Sequence, residues 1–187
     1  MKMTKRVFLV HGWGGSPETD FLAWLKGELK NKGFIVETPE MPDTENPNID
    51  SWVSHLSKLV RKPDKDTYFI GHSIGCQTIM RYVQNTNIKV GGLLLVAGWF
   101  NLANLEEDEI KIAEPWLNIP IDYNKVKQNS NKIIALLSDN DPFDCVEENA
   151  KIFKKKLGAD VKILHNLGHF NSPKYEFILE EFLNLTR

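Results

Sequence analysis

Apolar positions along the chain follow two alternating rhythms. Short apolar, β-branched or aromatic runs at residues 6–10, 34–37, 67–70, 90–96, 132–138 and 161–164 predict buried strands. Between them apolar residues recur at steps of three and four. Phe21, Trp24, Leu25 and Leu29 form one such stripe, and Ile49, Trp52, Val53, Leu56, Leu59 and Val60 form a second. Cys76, Ile79, Met80 and Val83 give a third, and Phe177, Ile178, Phe182 and Leu183 a fourth. Each stripe predicts a helix with one buried face. Parallel neighbours in a sheet need crossovers long enough to hold a helix, so strict alternation of strand and helix predicts an α/β fold. The expected architecture is a compact, doubly wound, mostly parallel sheet of about six strands with helices on both faces, residues 1–187 forming one domain.

One segment departs from the rhythm. Residues 98–120, GWFNLANLEEDEIKIAEPWLNIP, carry Trp99, Phe100 and Trp116 with five acidic side chains among them. Two readings stand side by side: a cover over a pocket, or an irregular excursion whose aromatics pack on the core.

Composition narrows the classes. With 26% charged residues and a formal net charge of −2, there is no electrostatic reason to expect a nucleic-acid partner. Cys76 and Cys145 lie far apart with no C-x-x-C pair, which predicts neither a disulfide framework nor a zinc site and suits a reducing cytoplasm. No apolar run approaches the ~18 residues of a membrane span, and the first fifteen residues hold too short an apolar core for a signal peptide. The expectation is a cytoplasmic protein, a monomer or small homo-oligomer, without membrane contact.

The chemistry is concentrated in residues 69–76, FIGHSIGC. Gly71 and Gly75 fence Ser73, although each glycine weakens a regular element by up to about 1 kcal/mol. A strand precedes this stretch and a helical stripe follows it, which is the context of the G-x-S-x-G turn. There a strained serine is exposed at the carboxyl edge of a sheet, with the backbone N–H of Ile74 at the new helix N-terminus. A serine hydroxyl needs an imidazole to take its proton and a carboxylate to orient that imidazole, in the chain order serine, acid, histidine.

Both follow. The fifth strand runs into Asp139-Asn140-Asp141-Pro142-Phe143, and the sixth into His165-Asn166-Leu167-Gly168-His169-Phe170. Asp141 is preferred because the following proline holds it extended, while Asp139 could brace the turn. His169, after a glycine, is preferred to His165, which continues the strand alternation. The first strand ends in His11-Gly12-Trp13-Gly14-Gly15, whose turn can leave the Trp13 N–H free for an oxyanion. The same turn lacks the G-x-G-x-x-G spacing of a dinucleotide site, and no Gly-Lys-Ser/Thr of a P-loop occurs. His11, His55 and His72 have no ligand-like spacing, so neither metal nor cofactor is expected.

With these residues assembled, the chain resembles the α/β-hydrolase superfamily, in particular the small serine hydrolases related to retinoblastoma-binding protein nine and YdeN. The likeness is carried by HGWGG at 11–15, Met41-Pro42-Asp43, GHSIG at 71–75, Asp141-Pro142-Phe143 and Gly168-His169-Phe170. The resemblance implies a compact hydrolase sheet without a large cap and a triad of Ser73, Asp141 and His169. The L-x-C-x-E motif associated with the retinoblastoma-binding member is met here only by Phe143-Asp144-Cys145-Val146-Glu147, with phenylalanine for leucine. The expected activity is hydrolysis of a small acyl ester or amide, with Trp13, Trp99, Phe100 and Trp116 suggesting an apolar pocket. The alternatives are acyl transfer by the same triad, or a protein-interaction module built on the hydrolase fold.

Overall fold

The structure is a computed structural model that describes residues 5–187. Six strands form one sheet in the order β2-β1-β3-β4-β5-β6, every adjacent pair parallel. They are β1 (Arg6–Val10), β2 (Ile35–Glu37), β3 (Thr67–His72), β4 (Gly92–Val96), β5 (Ile133–Ser138) and β6 (Asp160–Leu164). The helices are α1 (Leu22–Asn31), α2 (Ile49–Val60), α3 (Ile74–Val83), α4 (Glu107–Asn118), α5 (Tyr123–Gln128), α6 (Val146–Ile152) and α7 (Glu176–Leu185). A π-helical stretch, Phe153–Leu157, extends α6.

The two-residue period of the strands sorts their side chains into two cores. Phe8, Val10, Phe69, Leu93, Leu95, Ala135 and Leu137 pack with Trp52 and Leu56 of α2 and Ile79 and Met80 of α3. Val7, Leu9, Ile70, Leu94, Val96 and Leu136 pack on the other face with Leu22, Leu25 and Leu29 of α1 and Ile178 and Phe182 of α7. The sheet is therefore doubly wound, as the alternation predicts. The stripe of α2 starts from a defined cap: Asn48 Oδ1 accepts the Ser51 N–H at 3.1 Å.

Several boundaries differ from the pattern-based reading. β3 runs two residues beyond position 70, through Gly71 and His72. β4 begins at Gly92, with Val90 making only an isolated bridge to Ser130. Residues 98–120 are not irregular throughout: a loop leads into the twelve-residue α4, which starts with Glu106 accepting from the N3 backbone and Glu109 accepting from Glu106 N at 2.8 Å. Among the described residues no helix is long and apolar enough to cross a membrane.

Candidate active site

The order of strands fixes where a cleft opens. β1 leads into α1 on one face while its neighbour β3 leads into α3 on the other, so their carboxyl ends part at a topological switch point. A cleft of about 440 Å³ lies there, lined by the loop after β1, the turn after β3, and Phe143 and His169 from the loops after β5 and β6.

Ser73 sits between β3 and α3 with φ 54° and ψ −123°, a conformation that a non-glycine residue holds only under constraint from its surroundings. Its N–H donates to Val96 O at 2.9 Å and its carbonyl accepts from Cys76 N at 3.0 Å, which fixes the turn from both sides. The fencing glycines have a steric cause. A Cβ on Gly71 would lie 2.8 Å from the backbone nitrogen of Cys76, and one on Gly75 only 2.4 Å from Val10 O. Only glycine allows strand, turn and helix to approach this closely.

The acid and imidazole loops meet across β5 and β6. His169 Nδ1 donates to Asp141 Oδ2 at 2.8 Å, and Asp141 Oδ1 accepts the Phe143 N–H at 3.1 Å. The side chains of this pair are only 11% and 12% exposed. With the proton on Nδ1, assigned from its acceptor, Nε2 is left as the accepting nitrogen. The ring lies between Phe143, edge-on at 5.0 Å, and His72 at 5.2 Å. Ser73 and His169 line the same cleft, and among the described residues Ser73 Oγ has no hydrogen-bond partner.

The competing pair from the same loops faces solvent. His165 Nδ1 lies 2.7 Å from Asp139 Oδ2, with the imidazole 89% exposed, and Asp139 Oδ1 accepts Asn166 N. The Asn166 N–H, with help from His165, holds the Asp139 carboxyl below the usual carboxylate range. This pair braces two loops. Residues that spacing alone did not single out lace the same loops together. Ser138 Oγ donates to Asn140 Oδ1 and accepts Leu167 N, and Asn140 Oδ1 also accepts Gly168 N.

The β1 loop abuts Ser73: a Cβ on Gly12 would meet Ser73 Cβ at 3.3 Å. Gly14 N and Gly15 N are taken by Thr44 O and Gly12 O, whereas among the described residues neither Trp13 N nor Ile74 N donates within the protein. The Trp13 indole is anchored on Glu45 O at 2.9 Å. His11 is fully buried; its Nε2 accepts Met41 N and its Nδ1 donates to Gly12 O, so it is a structural, singly protonated ring. Burial pushes its pKa down. The buried thiol of Cys76 is pushed up by burial, far from a thiolate.

Of the aromatic residues expected in the pocket, Trp13 and Trp99 line the cleft, joined by Leu102, Leu105 and Phe143. Phe100 and Trp116 do not. Phe100 packs at 4.7 Å on Phe153, and Trp116 stacks edge-on against Trp52 with its indole N–H on Pro47 O. Burial in the α2–α3 core accounts for both. Three carboxylates, Asp20, Glu45 and Glu109, line the cleft with no lysine or arginine. Among the described residues no group of three or more His, Cys, Asp or Glu is arranged to hold a metal ion.

Comparisons with known proteins identify the family and the fold. The chain is 24% identical over 173 residues to the putative hydrolase YdeN of Bacillus subtilis (strain 168), covering 90% of this chain and 87% of YdeN. The solved YdeN structure superposes with a TM-score of 0.88 over 97% of this chain and 98% of that one, at 21% identity. The serine hydrolase RBBP9 of Rattus norvegicus is 26% identical over 170 residues, 90% of this chain and 83% of RBBP9. Est1E from Butyrivibrio proteoclasticus, solved with ferulic acid bound, shares the fold with a TM-score of 0.76 at 15% identity, over 98% and 90% of the two chains. The profile of the serine hydrolase family matches residues 7–176, and the chain therefore belongs to that family, as a YdeN/RBBP9-like serine hydrolase on the α/β-hydrolase fold.

Proposed function

We propose that the protein hydrolyses small carboxylic esters, and related amides, through an acyl-enzyme formed on Ser73. The observation that carries this reading is the strained Ser73 opening into the cleft that also holds His169, whose far nitrogen faces Asp141. Ser73 Oγ attacks the acyl carbonyl as its proton passes to His169 Nε2, while Asp141 orients the ring and stabilises the imidazolium. The N–H groups of Ile74 and Trp13 receive the oxyanion. His169 then gives the proton to the leaving group, and water, activated by the same imidazole, attacks the acyl carbon and restores Ser73. Walls of Trp13, Trp99 and Phe143 favour a flat or apolar acyl group, and the ferulic acid of Est1E is of that kind. The three cleft carboxylates disfavour a substrate that brings a negative charge of its own.

The test is turnover of p-nitrophenyl butyrate, p-nitrophenyl benzoate and the anionic p-nitrophenyl hemisuccinate by wild type and Ser73→Ala, with fluorophosphonate labelling mapped by peptide mass. The expected result is label on Ser73, a loss of at least ~10³ in kcat/KM for Ser73→Ala, and roughly tenfold slower hemisuccinate hydrolysis. A Ser73→Ala protein keeping more than about a tenth of the wild-type rate would end the assignment.

A further inference from the structure

Behind His169 stands a second imidazole–carboxylate pair that the hydrolytic steps do not use. His72, the last residue of β3, has a side chain only 3% exposed. Its Nε2 lies 2.8 Å from the carbonyl oxygen of His169; a carbonyl only accepts, so Nε2 carries the proton. Its Nδ1 is buried without a hydrogen-bond partner and lies 3.3 Å from Asp20 Oδ2, out of line for a hydrogen bond but within reach of the charge. Asp20 Oδ1 accepts from Asn171 Nδ2 at 3.1 Å. Burial alone would push the Asp20 carboxyl up, but His72, Asn171 and the charge of His169 outweigh it and hold the group below its ordinary range.

The His169-Phe170-Asn171 turn is thus held at both ends, at the first residue by His72, which faces the Asp20 carboxylate, and at the third by Asp20 itself. That turn has something to resist. Asn166, Gly168 and Phe170 all have positive φ, at 58°, 55° and 59°. A left-handed phenylalanine persists only where its surroundings hold it.

We propose that Asp20 and His72 are positioning residues that hold the main chain of His169 so that its imidazole stays aimed at Ser73. The proposal rests on the reading of Ser73 and His169 as nucleophile and base. The full-length protein carrying His72→Phe, His72→Gln or Asp20→Asn is compared with wild type in p-nitrophenyl butyrate hydrolysis, with thermal melts alongside. A displacement of the base by about 1 Å costs on the order of 100-fold in rate. His72→Phe and Asp20→Asn are therefore expected to lower kcat by about 10- to 100-fold with KM within about threefold. His72→Gln, whose amide can still donate to the His169 carbonyl, is expected to recover to within about fivefold of wild type. A downfield proton NMR signal from His169 Nδ1–H should persist in His72→Gln and broaden in His72→Phe. If His72→Phe does not fold, the near-isosteric Asp20→Asn carries the comparison. Wild-type kcat in both disruptive variants overturns the proposal, and so does a rise in KM at constant kcat, which would mark these residues as substrate contacts. Equal loss in His72→Gln and His72→Phe overturns it too. Wild-type activity that survives Ser73→Ala defeats the catalytic reading itself, whereas Ser73-dependent activity indifferent to the three variants defeats only the positioning role.

Discussion

Gly75→Ala places one methyl group where the structure has no room for it. The new Cβ would lie 2.4 Å from Val10 O and 2.7 Å from His11 O, both backbone atoms at the exit of β1. Relief to ordinary contact requires the N-terminus of α3 to move away from β1 by about 1 Å, because neither carbonyl can rotate out of the way as a side chain would. Overpacking of this kind costs about 1–3 kcal/mol, which in a chain of this length lowers Tm by about 2 to 12 °C. Ser73 and the Ile74 N–H ride on the same turn and move with it. With Ser73 as the proposed nucleophile and Ile74 N–H as the proposed oxyanion donor, a shift of both by about 1 Å costs about 100-fold in kcat/KM. Gly27→Ala is the control: Gly27 lies inside α1, exposed, with nothing within 4 Å of its would-be Cβ and no positive φ. That substitution should stabilise by about 0.5–1 kcal/mol and leave the rate unchanged. The assay is p-nitrophenyl butyrate turnover beside differential scanning calorimetry on both variants. A Gly75→Ala protein with wild-type Tm and rate would refute the steric account of the glycine fence.

Two further outcomes follow from buried groups. Arg81 of α3 is 3% exposed, donates to Trp116 O and Ile119 O at the end of α4, and has no carboxylate within ion-pair reach among the described residues. Burial pushes its pKa down to about 10, so it stays charged at neutral pH. Arg81→Met keeps the stem but strands both carbonyls, and a loss of about 2–4 kcal/mol in urea unfolding is expected; a loss under about 0.5 kcal/mol would contradict the capping role. His11 has its folded pKa below the ordinary value near 6.5, so as pH falls the unfolded chain takes up a proton before the folded one does. Its contribution is complete above about pH 6.5 and lost as pH drops through the folded value, at no more than about 1.4 kcal/mol per pH unit. Urea midpoints at pH 7.5 and 5.5 should fall more steeply for wild type than for His11→Gln, and identical slopes would show that His11 does not titrate with unfolding.

The parts of the molecule visible in the pattern are those where one constraint acts alone. Strands β3, β4 and β5 are buried along their whole length, and β1 from Val7 onward, so their runs are almost entirely apolar and stand out from the rest of the chain. The glycine fence is legible for the same reason, because a single close approach dictates it. Helix α4 is hard to read because only Ala113 and Trp116 of its twelve residues are buried and Ile110 is exposed, so no apolar stripe forms; the Glu106 and Glu109 side chains that cap it are the available signal, masked by the acidic run around them. Phe100 and Trp116 could not be sorted from Trp99, since aromatic identity does not say which way a loop turns. Asp20 and His72 carry no spacing signal at all. They meet the His169–Asn171 turn only because β1, β3 and β6 end at one edge of the sheet, which is a property of the assembled fold.

The two aspartate–histidine pairs after β5 and β6 show what finally separates a site from its scaffold. Residue types, chain order and distance do not discriminate between them: 2.7 Å for Asp139 and His165, 2.8 Å for Asp141 and His169. The pre-proline position of Asp141 gave a reason to prefer it, but that reason concerns backbone conformation and not chemistry. Exposure supplies the chemical reason. Around His165, 89% exposed, water screens the carboxylate, and the pair can do little beyond tying two loops together. Around His169, 11% exposed and flanked by Phe143 and His72, the low local dielectric makes the carboxylate's hold on the ring stronger and its direction definite. A base must be kept in one tautomer and one orientation through many turnovers, and the proposed role falls to His169 because, of the two imidazoles, it is the buried one and lines the cleft that Ser73 also lines.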